Sequence, residues 1–219
     1  MALVLLIRHA TTEATGRILT GWSEGHPLDD HGHAQAEALA RRMAGFRLAA
    51  VYSSPLERCA QTAEAIAAPH RLHVTMEDDL GEVRYGDWTG RPLRVLARTK
   101  LWRQLMRAPS QTRFPNGETL AEVQVRAVSA VNAIAARHAG KTVAVCSHAD
   151  VIRLLLAHYS GVHVDMFQRT AVSPASLSAV VLEGATPRIL RVNDTGTLED
   201  LTVAKPPPRK PAPRRGVGG

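Results

Sequence analysis

The sequence predicts an α/β protein, a three-layer α/β/α sandwich around a mostly parallel sheet. Three observations predict it. Apolar, β-branched runs alternate with stretches of helical periodicity. The opening run, residues 3–7, is apolar throughout and reads as a strand buried on both faces. That run and a later one, residues 142–146, both end in polar residues that include a histidine: Arg8-His9 and Ser147-His148. The carboxyl ends of parallel strands are where open α/β sheets bind ligands.

Each element follows from local signals. After the first strand comes a polar loop from Thr11 to Asp30 holding Gly16, Gly21, Gly25 and Pro27. Within it, Thr20-Gly21-Trp22 offers a hydroxyl and a backbone N–H to a site. Asp29 or Asp30 caps a helix over 33–44, where Ala, Leu and Met recur at helical spacing. Residues 48–52 form a second strand. Ser53-Ser54-Pro55-Leu56 then turns into a helix carrying Arg58, with Pro55 suited to its first turn. Residues 72–76 form a third short strand. Residues 80–90 hold Gly81, Gly86 and Gly90 with Tyr85 and Trp88, a shaped loop around Glu82. Residues 93–108 read as one basic helix with Arg94, Arg98, Lys100, Arg103 and Arg107. It is either a solvated cationic face or a lid that attracts an anionic substrate. Pro115 to Thr119 starts a long amphipathic helix to about His138. A strand over 142–146, a helix over 151–159 and a strand pair over 176–182 and 189–192 complete the chain.

Length and composition suit one ordinary domain, residues 1–204, followed by a tail over 205–219. The tail carries five of the 27 lysines and arginines and no acid. The remainder holds 22 basic against 20 acidic residues and is nearly neutral. The high charge therefore describes a Pro/Gly-rich extension, expected to be disordered, rather than a specific nucleic-acid surface. No apolar run approaches the ~20 residues of a membrane span. No charged leader precedes the first strand, so a cytoplasmic protein is expected. Cys59 and Cys146 are in no metal or redox spacing and read as small buried hydrophobes. His26, His31 and His33 cluster locally without completing a recognisable metal ligand set.

An arginine beside a histidine at a strand end points to phosphate chemistry. Arginine offers a planar fork of donors for phosphate oxygens, and neutral histidine a nucleophilic nitrogen. The downstream motifs add to this. Arg8-His9 with Thr12, the Thr20-Gly21 loop, Ser53-Ser54-Pro55-Leu56 through Arg58 to Gln61-Thr62-Ala63, and Glu82 with Tyr85-Gly86-Asp87-Trp88-Thr89-Gly90 appear in order. Pro115 through Gly117-Glu118-Thr119, Ser147-His148 and Asn193-Asp194-Thr195 follow. With these motifs, the chain from about residue 3 to 198 resembles the histidine phosphatase superfamily, the phosphoglycerate-mutase-like branch 1.

The resemblance implies a phosphoglycerate-mutase-like fold and roles for particular residues. His9 is implied as the nucleophile that becomes phosphohistidine, and Glu82 as the proton donor. Arg8, Arg58 and His148 are implied in the phosphate pocket, and Thr20 and Gly21 in the loop that approaches the phosphoryl group. Glu118 matches a position of varying role. The chain departs from the pattern at Ala10 and Ala149, where the family usually has glycine, and at Thr15, where it commonly has asparagine. Alanine keeps its N–H for phosphate but would be awkward at positive φ. Thr15 and Ala149 stay as candidate phosphate contacts. No metal and no cofactor is implied.

The expected chemistry is hydrolysis of a small phosphorylated metabolite. Arg8, Arg58 and a protonated His148 would carry the positive charge, and Glu82 would need a raised pKa. The resemblance leaves open a phosphomutase, for which a long basic insertion is missing between Glu82 and Pro115, and a non-catalytic binding protein. It leaves oligomeric state open, a homo-oligomer included.

Overall fold

Alternation along the first strand builds both halves of the core. In the computed structural model, which describes residues 1–184 and 186–196, strand β1 (Ala2–Arg8) is buried almost throughout. Val4 and Leu6 face one core; Leu5 and Ile7 face the other. Burying each such side chain contributes about 1.5–3 kcal/mol.

The remaining elements are β2 (Ile18–Leu19), α1 (Asp30–Met43), β3 (Leu48–Ser53), α2 (Glu57–Ala67), β4 (Val74–Met76) and β5 (Arg91–Pro92). They continue with α3 (Leu93–Leu96), α4 (Lys100–Arg107), α5 (Leu120–Arg137), β6 (Thr142–Ser147), α6 (Ala149–Tyr159), β7 (Leu177–Leu182) and β8 (Arg188–Asp194). The main sheet has the order β4-β3-β6-β1-β7-β8. β4, β3, β6 and β1 run parallel; β7 is antiparallel to β1, and β8 to β7. Leu39 and Met43 of α1 and Cys59, Ala63 and Ile66 of α2 cover one face. Val123, Ala127 and Ile134 of α5 and Val151 and Leu155 of α6 cover the other. This is the expected three-layer sandwich.

Several boundaries move, for local reasons. The basic stretch 93–108 is two helices, because Thr99 breaks it: its hydroxyl donates to the Leu96 carbonyl (2.7 Å) and accepts from the Trp102 N–H (3.1 Å). α2 begins at Glu57, so Pro55 precedes the helix rather than opening it. α5 begins at Leu120 because Thr119 and Glu122 form a capping box. Residues 114–117 instead make a tight reversal against residues 84–87, with the Glu118 N–H on the Arg84 carbonyl. That approach requires glycine twice. A Cβ on Gly117 would sit 2.2 Å from the Arg84 carbonyl oxygen. One on Gly86, at φ +54°, would sit 1.9 Å from that of Pro115. The third strand shortens to β4, and the β2–β5 pairing was not anticipated. The tail over 205–219 and the domain limit at 204 lie outside the described residues. Among the described residues no helix is long and apolar enough to cross a membrane.

Register aligns the polar strand ends. Arg8 of β1 pairs with Ser147 of β6, and Ser53 of β3 with Cys146. The ladder runs one residue further: the His9 N–H donates to the Ser147 carbonyl (3.0 Å) and the Ser54 N–H to that of Cys146 (2.9 Å). Three neighbouring strands thus deliver His9, Ser54 and His148 to one carboxyl edge.

Candidate active site

His9 is nearly buried, at 6% exposure. Its Nδ1 lies 2.7 Å from the carbonyl of Ala10, so Nδ1 carries the hydrogen and Nε2 keeps the lone pair. The His148 ring is tilted against it with centroids 5.3 Å apart. Burial, then Arg58 and Arg8, hold His9 well below the usual histidine range. The imidazole is neutral at neutral pH, as a nucleophile requires.

Two guanidinium groups lie close enough to lower its pKa, Arg58 buried and Arg8 half-buried, each tied by one bond among the described residues. Arg8 Nη1 donates to the Val172 carbonyl and Arg58 Nη2 to that of Gly21, both at 2.8 Å. Their Nε–H groups are buried with no hydrogen-bond partner among the described residues. Burial lowers the Arg8 pKa, yet arginine stays charged. Such donors fit an anion.

Sequence reasoning made His148 a protonated member of the pocket; the structure corrects this for the free site. His148 is fully buried, and burial followed by Arg58, His9, Arg8 and Arg126 pushes its pKa well below the usual range. Its Nε2 is 2.8 Å from Ser54 Oγ and 3.4 Å from Cys59 Sγ. Cys59 and Cys146 are free and buried, as expected, and the Cys59 thiol donates to the Ser147 carbonyl (3.4 Å).

Glu82 Oε2 stands 3.9 Å from His148 Nδ1, while Oε1 accepts from the Val83 N–H (3.0 Å). Burial first, then the carboxylate of Asp150, raises Glu82 to about 7; the Val83 bond, Arg58 and Arg8 oppose that rise. With Glu82 partly protonated and His148 neutral, the two form no fixed ion pair near neutrality. Asp150 is itself held by the Tyr85 hydroxyl (2.8 Å) and Arg153 Nη1 (2.9 Å). Burial, with Asp150 and Glu82, keeps Tyr85 protonated.

A raised carboxyl pKa has a stability consequence. The folded protein gains from a neutral Glu82 below its unfolded value, 4.5, and loses that gain as pH rises through about 7. By linkage the loss approaches about 3 kcal/mol. Glu82→Gln should therefore be more stable than wild type at pH 8 and close to it at pH 4, measured by urea unfolding at both.

The remaining candidates divide. Gly21 joins the cluster through Arg58. Ala149 opens α6, so its N–H has no partner inside the helix. Neither Ala10 nor Ala149 has positive φ, which removes the steric objection to alanine. The Ala10 N–H, however, is spent on Thr62 Oγ1 (3.1 Å), a correction to its expected phosphate contact. Thr15 Oγ1 accepts from the Thr12 N–H (2.9 Å) within its own loop, and the Thr20 carbonyl accepts from Ser23. Neither threonine bonds to the cluster. Of the clustered histidines, His26 Nε2 in the loop is paired with Ser23 Oγ, and His31 Nε2 in the first turn of α1 with Gln35. Sequence reasoning missed Ser54, Asp150 and Arg126. Ser54 had a signal, since it ends a strand as His9 and His148 do; the two charged residues had none beyond a helical position.

The chain around this constellation, a pinned imidazole beside two arginines at a sheet's carboxyl edge, is similar to known proteins along most of its length. The chain matches the histidine phosphatase superfamily (branch 1) over residues 4–195 and belongs to it. It is an enzyme of the phosphomonoesterase type. It is 30% identical over 208 residues to phosphoserine phosphatase 1 of Hydrogenobacter thermophilus, covering 93% of this chain and 97% of that one. It is 30% identical over 183 residues to the "Probable phosphoglycerate mutase GpmB" of Yersinia enterocolitica, covering 82% and 85%. Among solved structures, Bacillus stearothermophilus YhfR superposes with a TM-score of 0.84 at 27% identity, covering 89% of this chain and 98% of that one.

Proposed function

We propose that the protein hydrolyses a small phosphomonoester in two in-line steps on His9, without a metal. In the first, the Nε2 lone pair of His9 attacks phosphorus and the ester P–O bond breaks. Glu82 gives its proton to the departing oxygen, releasing the alcohol and leaving an N–P bond. In the second, Glu82 takes a proton from water as that water attacks phosphorus. The N–P bond breaks, its electron pair returns to Nε2, and phosphate leaves. Arg8 and Arg58 offset the charge on the equatorial oxygens. His148 is neutral in the free site and would take up a proton beside a phosphate dianion. The observation that carries this reading is the Nδ1 bond of His9 to the Ala10 carbonyl, which leaves a neutral, oriented Nε2 beside two guanidinium groups.

The relatives' names support a small phosphorylated metabolite as substrate, phosphoserine or phosphoglycerate being first to test. Hydrolysis is favoured over phosphomutase action by where arginines between Glu82 and Pro115 go. Arg84 stacks on Trp22 at 3.8 Å and Arg113 pairs with Glu122. Arg94 lines one cavity with Arg17, and Arg103 and Arg107 line another with Lys100. Among the described residues, none of these is bonded into the His9 cluster. The test is phosphate release from a phosphomonoester panel in excess chelator, beside a phosphoglycerate mutase assay with and without bisphosphate. Release that survives chelation supports hydrolysis; isomerisation with little release would move the protein to the mutases.

A further inference from the structure

Residues 79–82 form no sheet ladder, yet every carbonyl in the segment accepts a hydrogen bond from a side chain. Arg126, on α5, supplies most of them. Its Nη1 donates to the carbonyls of Asp79 and Gly81, both at 2.8 Å, and its Nη2 to that of Glu82 at 2.9 Å. Ser147 Oγ takes the carbonyl of Leu80 (2.6 Å), and Trp22 Nε1 makes a second bond to that of Glu82. The other donors of Arg126 go to Glu118: Nε to Oε1 at 2.9 Å and Nη2 to Oε2 at 3.0 Å. All five N–H bonds of one guanidinium are used. Glu118 Oε2 also accepts the N–H of Arg84 at 2.8 Å. One ion pair, about five-sixths buried on each side, thus grips the chain before and after Glu82.

We propose that Arg126, locked by Glu118, is a positioning residue for the reaction: it holds the main chain of Glu82 so that the carboxyl group meets the ester oxygen. The proposal rests on the reading of Glu82 as proton donor. Proton transfer demands hydrogen-bond reach, and a misplacement of about 1 Å costs roughly a hundredfold. Lysine cannot replace the clamp, having three donors and no planar fork. Because the clamp acts through Glu82, its loss falls on esters whose leaving oxygen needs a proton.

The experiment compares kcat/KM for an alkyl phosphate (glycerol phosphate) and p-nitrophenyl phosphate. It uses wild type, Glu82→Gln, Arg126→Lys, Glu118→Gln and the double variant Arg126→Lys/Glu82→Gln. Arg126→Lys is expected to lose roughly tenfold to a hundredfold on the alkyl ester and only about threefold or less on the nitrophenyl ester. In the Glu82→Gln background it should add no further selective loss. Glu118→Gln should show the same selectivity more weakly. Equal losses on both esters, or none, from Arg126→Lys while Glu82→Gln stays selective would overturn the clamp alone. No selectivity in Glu82→Gln would overturn the donor reading and the clamp with it. Should Arg126→Lys not fold, Glu118→Gln and Trp22→Phe, which each remove part of the grip, decide by the same ratio.

Discussion

His9→Ala should fold as wild type does and lose about four to six orders of magnitude in turnover. The loss follows from chemistry, since no other neutral imidazole in the cluster has an orienting carbonyl bond. His148 Nε2 is occupied by Ser54, and its Nδ1 faces Glu82. Folding should survive because, among the described residues, the His9 ring bonds only to the carbonyl next to it, while its backbone keeps the ladder bond to Ser147. Losing one hydrogen bond of this kind costs about 1 kcal/mol. Circular dichroism and phosphate release on the same preparation check both halves. A folded His9→Ala protein with wild-type rate would remove His9 from the mechanism.

Glu82→Gln should lose about two to four orders of magnitude on alkyl phosphates and only a few-fold on p-nitrophenyl phosphate. Glutamine keeps the shape and has no proton to give; an alkoxide needs one, and nitrophenolate leaves without it. The same donor sets the pH profile. With Glu82 at about 7, wild-type activity on an alkyl phosphate should decline above neutral pH as the donor ionises. His9, held well below the usual histidine range, stays neutral on the mildly acidic side. Asp150→Asn removes the like charge that disfavours ionisation of Glu82, so the basic limb should move to lower pH. A profile unchanged by Asp150→Asn, or a loss in Glu82→Gln equal on both esters, would contradict this assignment.

Much of this was legible in the sequence where one residue type has one physical use. The apolar run before Arg8 reads as a buried strand, and residues 142–146 as a second strand with the same ending; that the two pair is what the structure adds. Those two strands are neighbours in the sheet, which is why Arg8, His9 and His148 converge. Gly86 belongs to a stretch that reads as a shaped loop, whereas Gly117 reads as part of a helix start, and only the structure shows that the two segments meet backbone to backbone. Other features depend on tertiary neighbours that no local pattern reports. Thr99 splits the basic helix through one hydroxyl. His148 reads as a cation until its complete burial beside Arg58 is known. Whether burial or the arginines would win at Glu82 was open from sequence; burial wins, aided by Asp150, a residue the motifs did not mark. Arg126 is one of several arginines in the sequence until the carbonyls of residues 79, 81 and 82 are seen around it.

The most direct measurement is to trap the intermediate. Wild-type protein and Glu82→Gln are mixed with phosphomonoester carrying labelled phosphorus, quenched in alkaline detergent, and the labelled peptide sequenced. The expected result is one label on His9, stable in base, lost in acid and absent from His9→Ala. Label on another residue, or turnover that inverts the configuration at phosphorus with no labelled protein, would contradict a phosphohistidine mechanism.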